Sequence, residues 1–421
     1  MFTKNTEKLV PENISDLGRT DDDSGLRVFR GMMSPWDKIV SFRETYHYAA
    51  RMNALMAASF YDVLRIVEPD YRKRTQLVGE LWGSELEKLW KDPNLKMREQ
   101  FLERWQVPEG EHEGVHLAGL YADKGDEMML MSGRVHDFGP DRVEKELDNC
   151  HWDIVGPEIC DASMQGGHSF MRGAAGIEST THCYERRGCG NLHCRVVEER
   201  GDTRNAGERW EQWGPAVSGR GKSTPREEMK SEPEFLTTGV YRAATGATWT
   251  AGEMFRDYSI WPMFGTAEAI RALRQLVDNP ETLTHLTTCV FRSAGKWQFG
   301  DPAAIKGVRD WLGVPGEIKD SRVMGGYISM LLQAKVLPWK FTEFEPDRTV
   351  IETDRAALGV FGQFPEVIPA YQALFDGMVK TLVGAEWVVG FDEEAPQDVA
   401  RLVIERDFYG VKNSTNETVT S

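Results

Sequence analysis

The sequence is poor in cysteine and in basic residues. Its 421 residues include only 6 cysteines, which excludes the disulfide scaffold of a small secreted protein. Lys and Arg number 50 against 66 Asp and Glu, so the formal net charge is −16. This charge argues against a nucleic-acid partner, because phosphates need a basic face, and equally against an anionic membrane surface.

Long apolar runs are also missing. No stretch of 18 apolar residues is present, so the sequence predicts no transmembrane helix. The polar start, MFTKNTEKLV, lacks the apolar core of a secretory signal, and we therefore expect a cytoplasmic protein. Four cysteines crowd between Cys160 and Cys194, which in a cytoplasmic chain favours metal binding or redox chemistry over structural disulfides.

Hydrophobic periodicity predicts an α+β fold. Residues 41–67 and 264–336 carry apolar residues at helical spacing, whereas 194–198 and 400–404 are typical of strands. We expect two tandem modules, each with helices packed on a small, mainly antiparallel sheet. The predicted divisions are a flexible tail (1–35), a metal-bearing module (36–200), a linker (201–236), a second module lacking the cysteine cluster (237–410) and a polar tail (411–421).

An internal repeat underlies the two-module hypothesis. Three short motifs recur at one offset of 206 residues: GxY at 119–121 and 325–327, FxPDR at 138–142 and 344–348, and RxVxER at 195–200 and 401–406. One register for all three motifs favours duplication over chance. The clustered cysteines have no counterparts in the second copy, so we expect the chemistry to lie in the first.

The cysteine cluster comprises Cys160, Cys183, Cys189 and Cys194. Four thiolates suit a tetrahedral zinc ion or an iron–sulfur cluster, and glycines on both sides of Cys189 allow a tight loop around an ion. We rank zinc ahead of iron–sulfur because imidazoles adjoin the thiolates and the spacing matches no common iron–sulfur run. Alternative ligands or partners are His182, His193 and Glu185.

The segment from Ile159 to Val197, which contains GNLHCRV near its end, resembles the 4-vinyl reductase-type domain. This domain is the effector-sensing part of phenol-responsive transcriptional activators, and similar domains occur near aminothiazoline-carboxylate hydrolase-like proteins. By this resemblance Cys160 and Cys194 match zinc-ligand positions, and Cys183 matches an intermediate ligand position. The family's third cysteine falls on Arg186, so Cys189 would have to replace it. The resemblance implies a zinc-stabilised α/β domain beside a pocket for a small, often aromatic, molecule.

A second metal-type motif is H-E-x-x-H, formed by His112, Glu113 and His116. On a helix the two histidines would share one face, and the glutamate beside them would act as general base on a metal-bound water. The motif follows a Pro-Glu-Gly segment, so we expect it in the first helical turn. The alternative is a pair of helix-surface histidines that interact with neighbouring acids.

Two functions follow as hypotheses. The first is a metal-dependent hydrolase or lyase acting on a small apolar or aromatic molecule, with Glu113 or Glu185 as the base and the cysteines holding zinc. The second is a non-catalytic, zinc-stabilised binding or sensor protein that acts through a partner protein. The family's output domains are missing from the sequence, which favours the enzyme. The sequence leaves open whether the chain forms a homo-oligomer.

Overall fold

The computed structural model describes residues 32–40, 42–129, 132–148, 151–185, 194–201, 235–251, 253–254, 257, 263–334, 337–355, 364, 366–392 and 394–407. The fold is α+β, as predicted, because helices pack on small antiparallel sheets. No helix in these ranges is long and apolar enough to cross a bilayer. The predicted tail up to residue 31, almost all of the predicted linker and the tail after 410 lie outside the described residues.

The secondary structure follows the chain in this order. The helices are α1 Phe42–Val67, α2 Tyr71–Lys91, α3 Met97–Arg104, α4 His116–Met128, α5 Pro157–Ala174, α6 Phe235–Thr238, α7 Met263–Leu276, α8 Pro280–Gln298, α9 Pro302–Leu312, α10 Ser321–Ala334 and α11 Val367–Leu382. The strands are β1 Met32–Met33, β2 Ile39–Val40, β3 Ser132–Phe138, β4 Arg142–Asp148, β5 Ser179–Glu185, β6 Cys194–Arg200, β7 Val240–Arg242, β8 Thr248–Thr250, β9 Trp339–Phe344, β10 Arg348–Asp354, β11 Trp387–Phe391 and β12 Val399–Arg406.

Local sequence explains several of the helix ends. Asp70 caps α2 by accepting a hydrogen bond of 3.0 Å from the backbone N–H of Lys73. Asp301 caps α9 in the same way, and Pro302 occupies the first helical position, where its missing N–H costs nothing. Gly313 caps the C-terminal end of α9, and its φ of 70° is a conformation that other residues rarely adopt.

The two four-stranded sheets share one topology. The first has the order β3-β4-β6-β5, and the second has the order β9-β10-β12-β11. Their registers also correspond at an offset of 206 residues: Arg142 pairs with Glu199, as Arg348 pairs with Glu405. Even the register shifts within β3-β4 and β9-β10 fall at equivalent positions. This correspondence supports the interpretation of the chain as two diverged copies.

The residues that the copies share form matching ion pairs on each sheet. In the first sheet Arg142 contacts Glu199 at 3.1 Å, Arg195 contacts Glu146 at 3.7 Å and Arg200 contacts Asp141 at 2.7 Å. The equivalent contacts in the second sheet are Arg348–Glu405 at 3.3 Å, Arg401–Glu352 at 2.7 Å and Arg406–Asp347 at 3.8 Å. The FxPDR and RxVxER motifs therefore maintain cross-strand charge pairing, which is a structural role.

The compact units do not follow the chain order of the predicted modules. One unit, the first-sheet unit, takes its described residues from Ala50–Asn279. The other, the second-sheet unit, takes them from Arg30–Ala49 and Pro280–Ser421. The hairpin β1-β2, which precedes the first copy, thus belongs to the second-sheet unit. The hairpin β7-β8, which precedes the second copy, belongs to the first-sheet unit. The predicted boundaries follow the order of the chain, whereas the units follow its packing.

In the first-sheet unit, the hairpin β7-β8 packs on α3 and α4. Trp249 lies 4.5 Å from Trp105 between ring centroids, and the Thr245 hydroxyl donates a 2.6 Å hydrogen bond to the carbonyl of Trp105. The guanidinium of Arg104 lies 4.1 Å above the Trp249 ring. These contacts fix the hairpin, because a two-stranded ribbon has little stability by itself.

In the second-sheet unit, the hairpin β1-β2 packs on α9 and α10. The Lys38 ammonium donates to the carbonyl of Asp310, and the Trp36 ring lies against Gly326. Helices α8 and α11 cross with their backbones in contact, because a Cβ on Gly295 would lie only 2.1 Å from the carbonyl oxygen of Leu374. Two glycines make this close crossing, and the second is Gly377.

Candidate functional site

A cavity of about 260 Å³ lies inside the first-sheet unit. Helices α2, α4 and α5 form its walls, and strands β4 and β6 form its floor. Where α2 packs on α5, the Trp82 and Trp90 rings stand against Gly166 and Gly173, and the missing Cβ atoms leave room for the indoles.

The walls are mainly aromatic and aliphatic. Four rings contribute, those of Trp82, Tyr121, Trp152 and Phe170, and Tyr121 stacks on Phe170 with 4.4 Å between centroids. Gly119 also lines the cavity, and a Cβ there would meet the Phe138 ring at 2.8 Å. Side chains that are rigid and already packed give such a cavity a preformed shape, which is typical of small-molecule sites.

The floor carries a charge cluster in which Lys145 and Asp126 are largely buried, whereas Asp123 is 36% exposed. The ammonium group of Lys145 on β4 lies 2.8 Å from Asp123 and 2.7 Å from Asp126. The Tyr241 hydroxyl on β7 donates a 2.8 Å hydrogen bond to Asp123. Burial opposes the charge of Lys145, but Asp126 and Asp123 more than compensate, and the pKa of Lys145 is raised.

Two carboxylates in this region line the cavity itself, Asp126 and Glu198. Glu198 lies on β6, two residues beyond Val196, which pairs with Lys145 across the sheet. Burial raises the pKa of Asp126, and the Lys145 charge opposes that rise. The cavity floor therefore holds acids in a medium of low polarity, where a charge interacts strongly with its surroundings.

The second copy fills the equivalent positions with aliphatic side chains. At the offset of 206 residues, Lys145 corresponds to Ile351, and Glu198 corresponds to Ile404. Asp126 corresponds to Leu332 on α10. All three aliphatic residues are buried in the second-sheet unit. The polar floor is thus specific to the first copy, while the ion pairs described above are common to both.

Of the four predicted cysteine ligands, the structure brings two to the cavity. Cys160 on α5 and Cys194 on β6 both line it. Cys183 lies in β5 with its Cα opposite that of Val196, but its side chain, like that of Glu185, lies outside the described part of the chain, as does all of Cys189. Two thiols fit one half of a tetrahedral zinc shell, and the four-cysteine site stays a prediction.

The H-E-x-x-H motif does not form the helical arrangement that the sequence predicts. Helix α4 begins at His116, so His112 and Glu113 lie before it and do not share a helix face with it. The His112 Nε2 atom lies 3.2 Å from the carbonyl oxygen of Val107. Gly114 lies before the helix, and a Cβ there would lie 2.4 Å from the His116 ring.

His116 is buried, and its Nε2 atom lies 3.8 Å from the Glu111 carboxylate. Burial lowers the pKa of His116 and favours the neutral ring, although Glu111 opposes this. Among the residues with described side chains, no three His, Cys, Asp or Glu form a group that could hold a metal ion. Helix α4 therefore does not place the two histidines on one helical face, and their role as catalytic residues stays a prediction.

Sequence reasoning missed the acids and the lysine of the cavity floor. Asp126, Lys145 and Glu198 belong to no short motif, and charged residues on a strand or helix usually face solvent. One signal was available. Aligned at the offset of 206 residues, these three positions change from charged to aliphatic, and a change of that kind marks residues that face inward in both copies.

The chain was also compared with known proteins. No family model, curated protein or solved structure matches it.

Proposed function

We propose that this protein binds a small apolar or aromatic molecule in the cavity of the first-sheet unit. The observation that carries the proposal is the cavity itself, with aromatic walls and a few polar groups on its floor. Apolar walls supply the free energy of burial, and the polar groups select the orientation of the ligand. The resemblance to an effector-sensing domain agrees with this proposal.

The size of the cavity limits the ligand. Its volume of about 260 Å³ lies slightly below the range of roughly 300–1,000 Å³ found for drug-sized ligands. A molecule with one ring and a short substituent fits this space. Four aromatic side chains offer faces and edges against which such a ring can stack.

Metal-dependent hydrolase or lyase chemistry is our second candidate, and one observation favours it. Cys160 and Cys194 line the same cavity, so a zinc ion held by them together with Cys183 and Cys189 would adjoin the ligand. If four thiolates complete the shell, the zinc is structural, because no position is open for water. The binding protein is therefore the better-supported function, and its location in the cytoplasm stays a prediction from the sequence.

The test is to fill the cavity. Ser163 lines it from α5, and its hydroxyl bonds only to the carbonyl of Cys160 one turn earlier among the hydrogen bonds seen. We expect the full-length protein to bind benzyl alcohol in isothermal titration calorimetry and Ser163→Phe to abolish that binding. The matched control is Ser84→Phe, which places the same ring at an exposed position on α2.

Two results would contradict the proposal. One is the absence of binding by the wild-type protein to any single-ring probe. The other is binding that Ser163→Phe leaves unchanged, since the ligand would then occupy another place. Thermal melting of both variants checks that the introduced phenylalanine leaves the fold intact.

A further inference from the structure

The two four-stranded sheets have outer strands of two kinds. The outer strands are β3 and β5 in the first sheet and β9 and β11 in the second. Three of them, β3, β5 and β9, contain charged residues, and each has one extra residue with no partner in the neighbouring strand. These extra residues are His136, Tyr184 and Thr342. Bulges and charges are the usual means by which an outer strand avoids pairing with another chain.

Strand β11 has neither of these protections. Its sequence, Trp-Val-Val-Gly-Phe, contains no charged residue and no proline, and its register with β12 is regular from Trp387 to Phe391. Within the described ranges no strand pairs with the outer side of β11. An unprotected outer strand is a template for pairing with another strand of matching register.

Two residues of β11 direct their backbone groups away from the sheet. The N–H of Asp392 donates a 2.9 Å hydrogen bond to the carbonyl of Arg401 on β12. Backbone direction alternates along an antiparallel strand, so Val389 and Phe391 point their N–H and carbonyl groups outward. These groups have no partner in the described part of the chain, and both residues line a groove on the surface.

The strand is closed at its first residue. The outward N–H of Trp387 donates to the carbonyl of Gly384 at 3.2 Å, and its carbonyl accepts a 3.0 Å hydrogen bond from Lys380 on α11. A pairing strand can therefore bond only to the residues that follow, which fixes where the pairing begins.

A second copy of the chain presents a strand that fits this edge. In an antiparallel pair about a two-fold axis at Gly390, Val389 of each copy faces the partner's Phe391, and each such pair exchanges two hydrogen bonds. An aromatic residue opposite a β-branched one is a favourable cross-strand combination. At the axis the two Gly390 Cα atoms would approach to about 4.5 Å. The space is open, because a Cβ on Gly390 would meet no atom within 4 Å.

The charges beside the edge are compatible with this register. Asp392 accepts a 2.7 Å hydrogen bond from Arg401, and Glu405 lies 3.3 Å from Arg348, so each acid has a counter-ion within its own sheet. Val388 is the neighbour of Glu405 across β12, and in the two-fold pair it faces the partner's Asp392. The apolar side chain of Val388 thus lies between the two acids.

We propose that two copies of this chain associate through β11, which joins their second sheets into one continuous antiparallel sheet about a two-fold axis at Gly390. The contact is small, because a five-residue strand is only about 17 Å long. A stable complex buries roughly 800 Å² per partner, so this dimer is transient.

The experiment is sedimentation velocity on the full-length protein between about 1 and 300 µM, where transient complexes dissociate. We expect the weight-average sedimentation coefficient of wild type to rise with concentration from monomer toward dimer. Gly390→Lys should stay monomeric, because two lysines would meet at the axis. The matched control, Gly316→Lys, adds the same charge at another glycine with open space in the same unit and should dimerise like wild type.

A second pair of variants tests the register. Val388→Lys should tighten the dimer by about threefold, because its ammonium group would lie between Glu405 and the partner's Asp392. Val388→Glu should weaken it by about threefold or more, because three acids would then adjoin. If Gly390→Lys fails to fold, as judged by thermal melting, these two variants decide.

Three results would overturn the proposal. Wild-type protein that stays monomeric throughout the concentration range would show that β11 does not pair with a second copy. A dimer that Gly390→Lys leaves unchanged would show that the copies associate through another surface. Dissociation constants that Val388→Lys and Val388→Glu shift in the same direction would exclude the register about Gly390.

Discussion

Glu268 offers a sharp test of the packing in the first-sheet unit. It lies on α7 with only 1% of its surface exposed. One carboxylate oxygen lies 2.9 Å from Arg271, and the other is buried with no hydrogen-bond partner among the described residues. Burial raises the pKa of Glu268 from 4.5 to about 8, although Arg271 opposes the shift.

This pKa predicts how stability depends on pH. The folded state holds the proton more tightly than the unfolded state, so stability falls as pH rises from 4.5 through 8. The two pKa values give a loss of about 3 kcal/mol at pH 7 and about 5 kcal/mol at pH 9, relative to low pH. Glu268→Gln has no charge to bury, so this part of the pH dependence should vanish.

The measurement is urea unfolding of wild type and Glu268→Gln at pH 5, 7 and 9. We expect the unfolding free energy of Glu268→Gln to rise relative to that of wild type from pH 5 to 7 and again from pH 7 to 9. Glu85→Gln is the matched control, since Glu85 on α2 also lies near Arg271, at 3.5 Å. Its hydrogen bond with Lys88 lowers its pKa, so its contribution should be constant between pH 6 and 9.

A difference between wild type and Glu268→Gln that stays constant from pH 5 to 9 would refute this reasoning. The carboxyl group would then be ionised in the folded protein throughout, which requires a charge partner stronger than Arg271. A lower unfolding free energy of Glu268→Gln than of wild type at pH 9 would lead to the same conclusion.

Two further predictions concern the helix crossing and the cysteines. Gly295→Ala should lower the unfolding free energy by at least about 2 kcal/mol in urea denaturation, because its Cβ meets the carbonyl of Leu374 at 2.1 Å. Gly390→Ala, with open space around it, should change it by under about 0.5 kcal/mol, and equal effects would contradict the close crossing. Cys194→Ala should lose bound zinc in mass spectrometry, while Cys289→Ala, at an exposed position, should keep it. Wild-type protein without metal would refute the zinc hypothesis.

The secondary structure and the α+β class could be predicted from local patterns. The strands expected at 194–198 and 400–404 are β6 and β12, and the helices expected from 41 to 67 and from 264 to 336 are present. The repeat was visible because Arg142, Glu199 and their counterparts form ion pairs that constrain sequence at fixed positions. Hydrophobic periodicity and an internal repeat can both be recognised in a single sequence, so these features could be predicted.

The cavity and the exchanged hairpins could not be predicted in this way. The contacts of Lys145 with Asp123 and Asp126 depend on how α4 packs on β4, which no spacing encodes. The hairpin strands are only two or three residues long, so they carry little periodic signal. The expectation that the H-E-x-x-H motif lies on one helix was wrong, because α4 begins only at His116.

The placement of the hairpins has a consequence for synthesis on the ribosome. Residues 32–49 emerge from the ribosome early, but they belong to a unit that also needs Pro280–Ser421. More than half of the chain is therefore synthesised before this segment can pack against the rest of its unit. The first sheet in turn waits for β7 and β8. Truncation after the first copy would leave both units incomplete, because β7 and β8 and the segment from Pro280 onward would be missing, whereas two separately made halves would carry complementary segments.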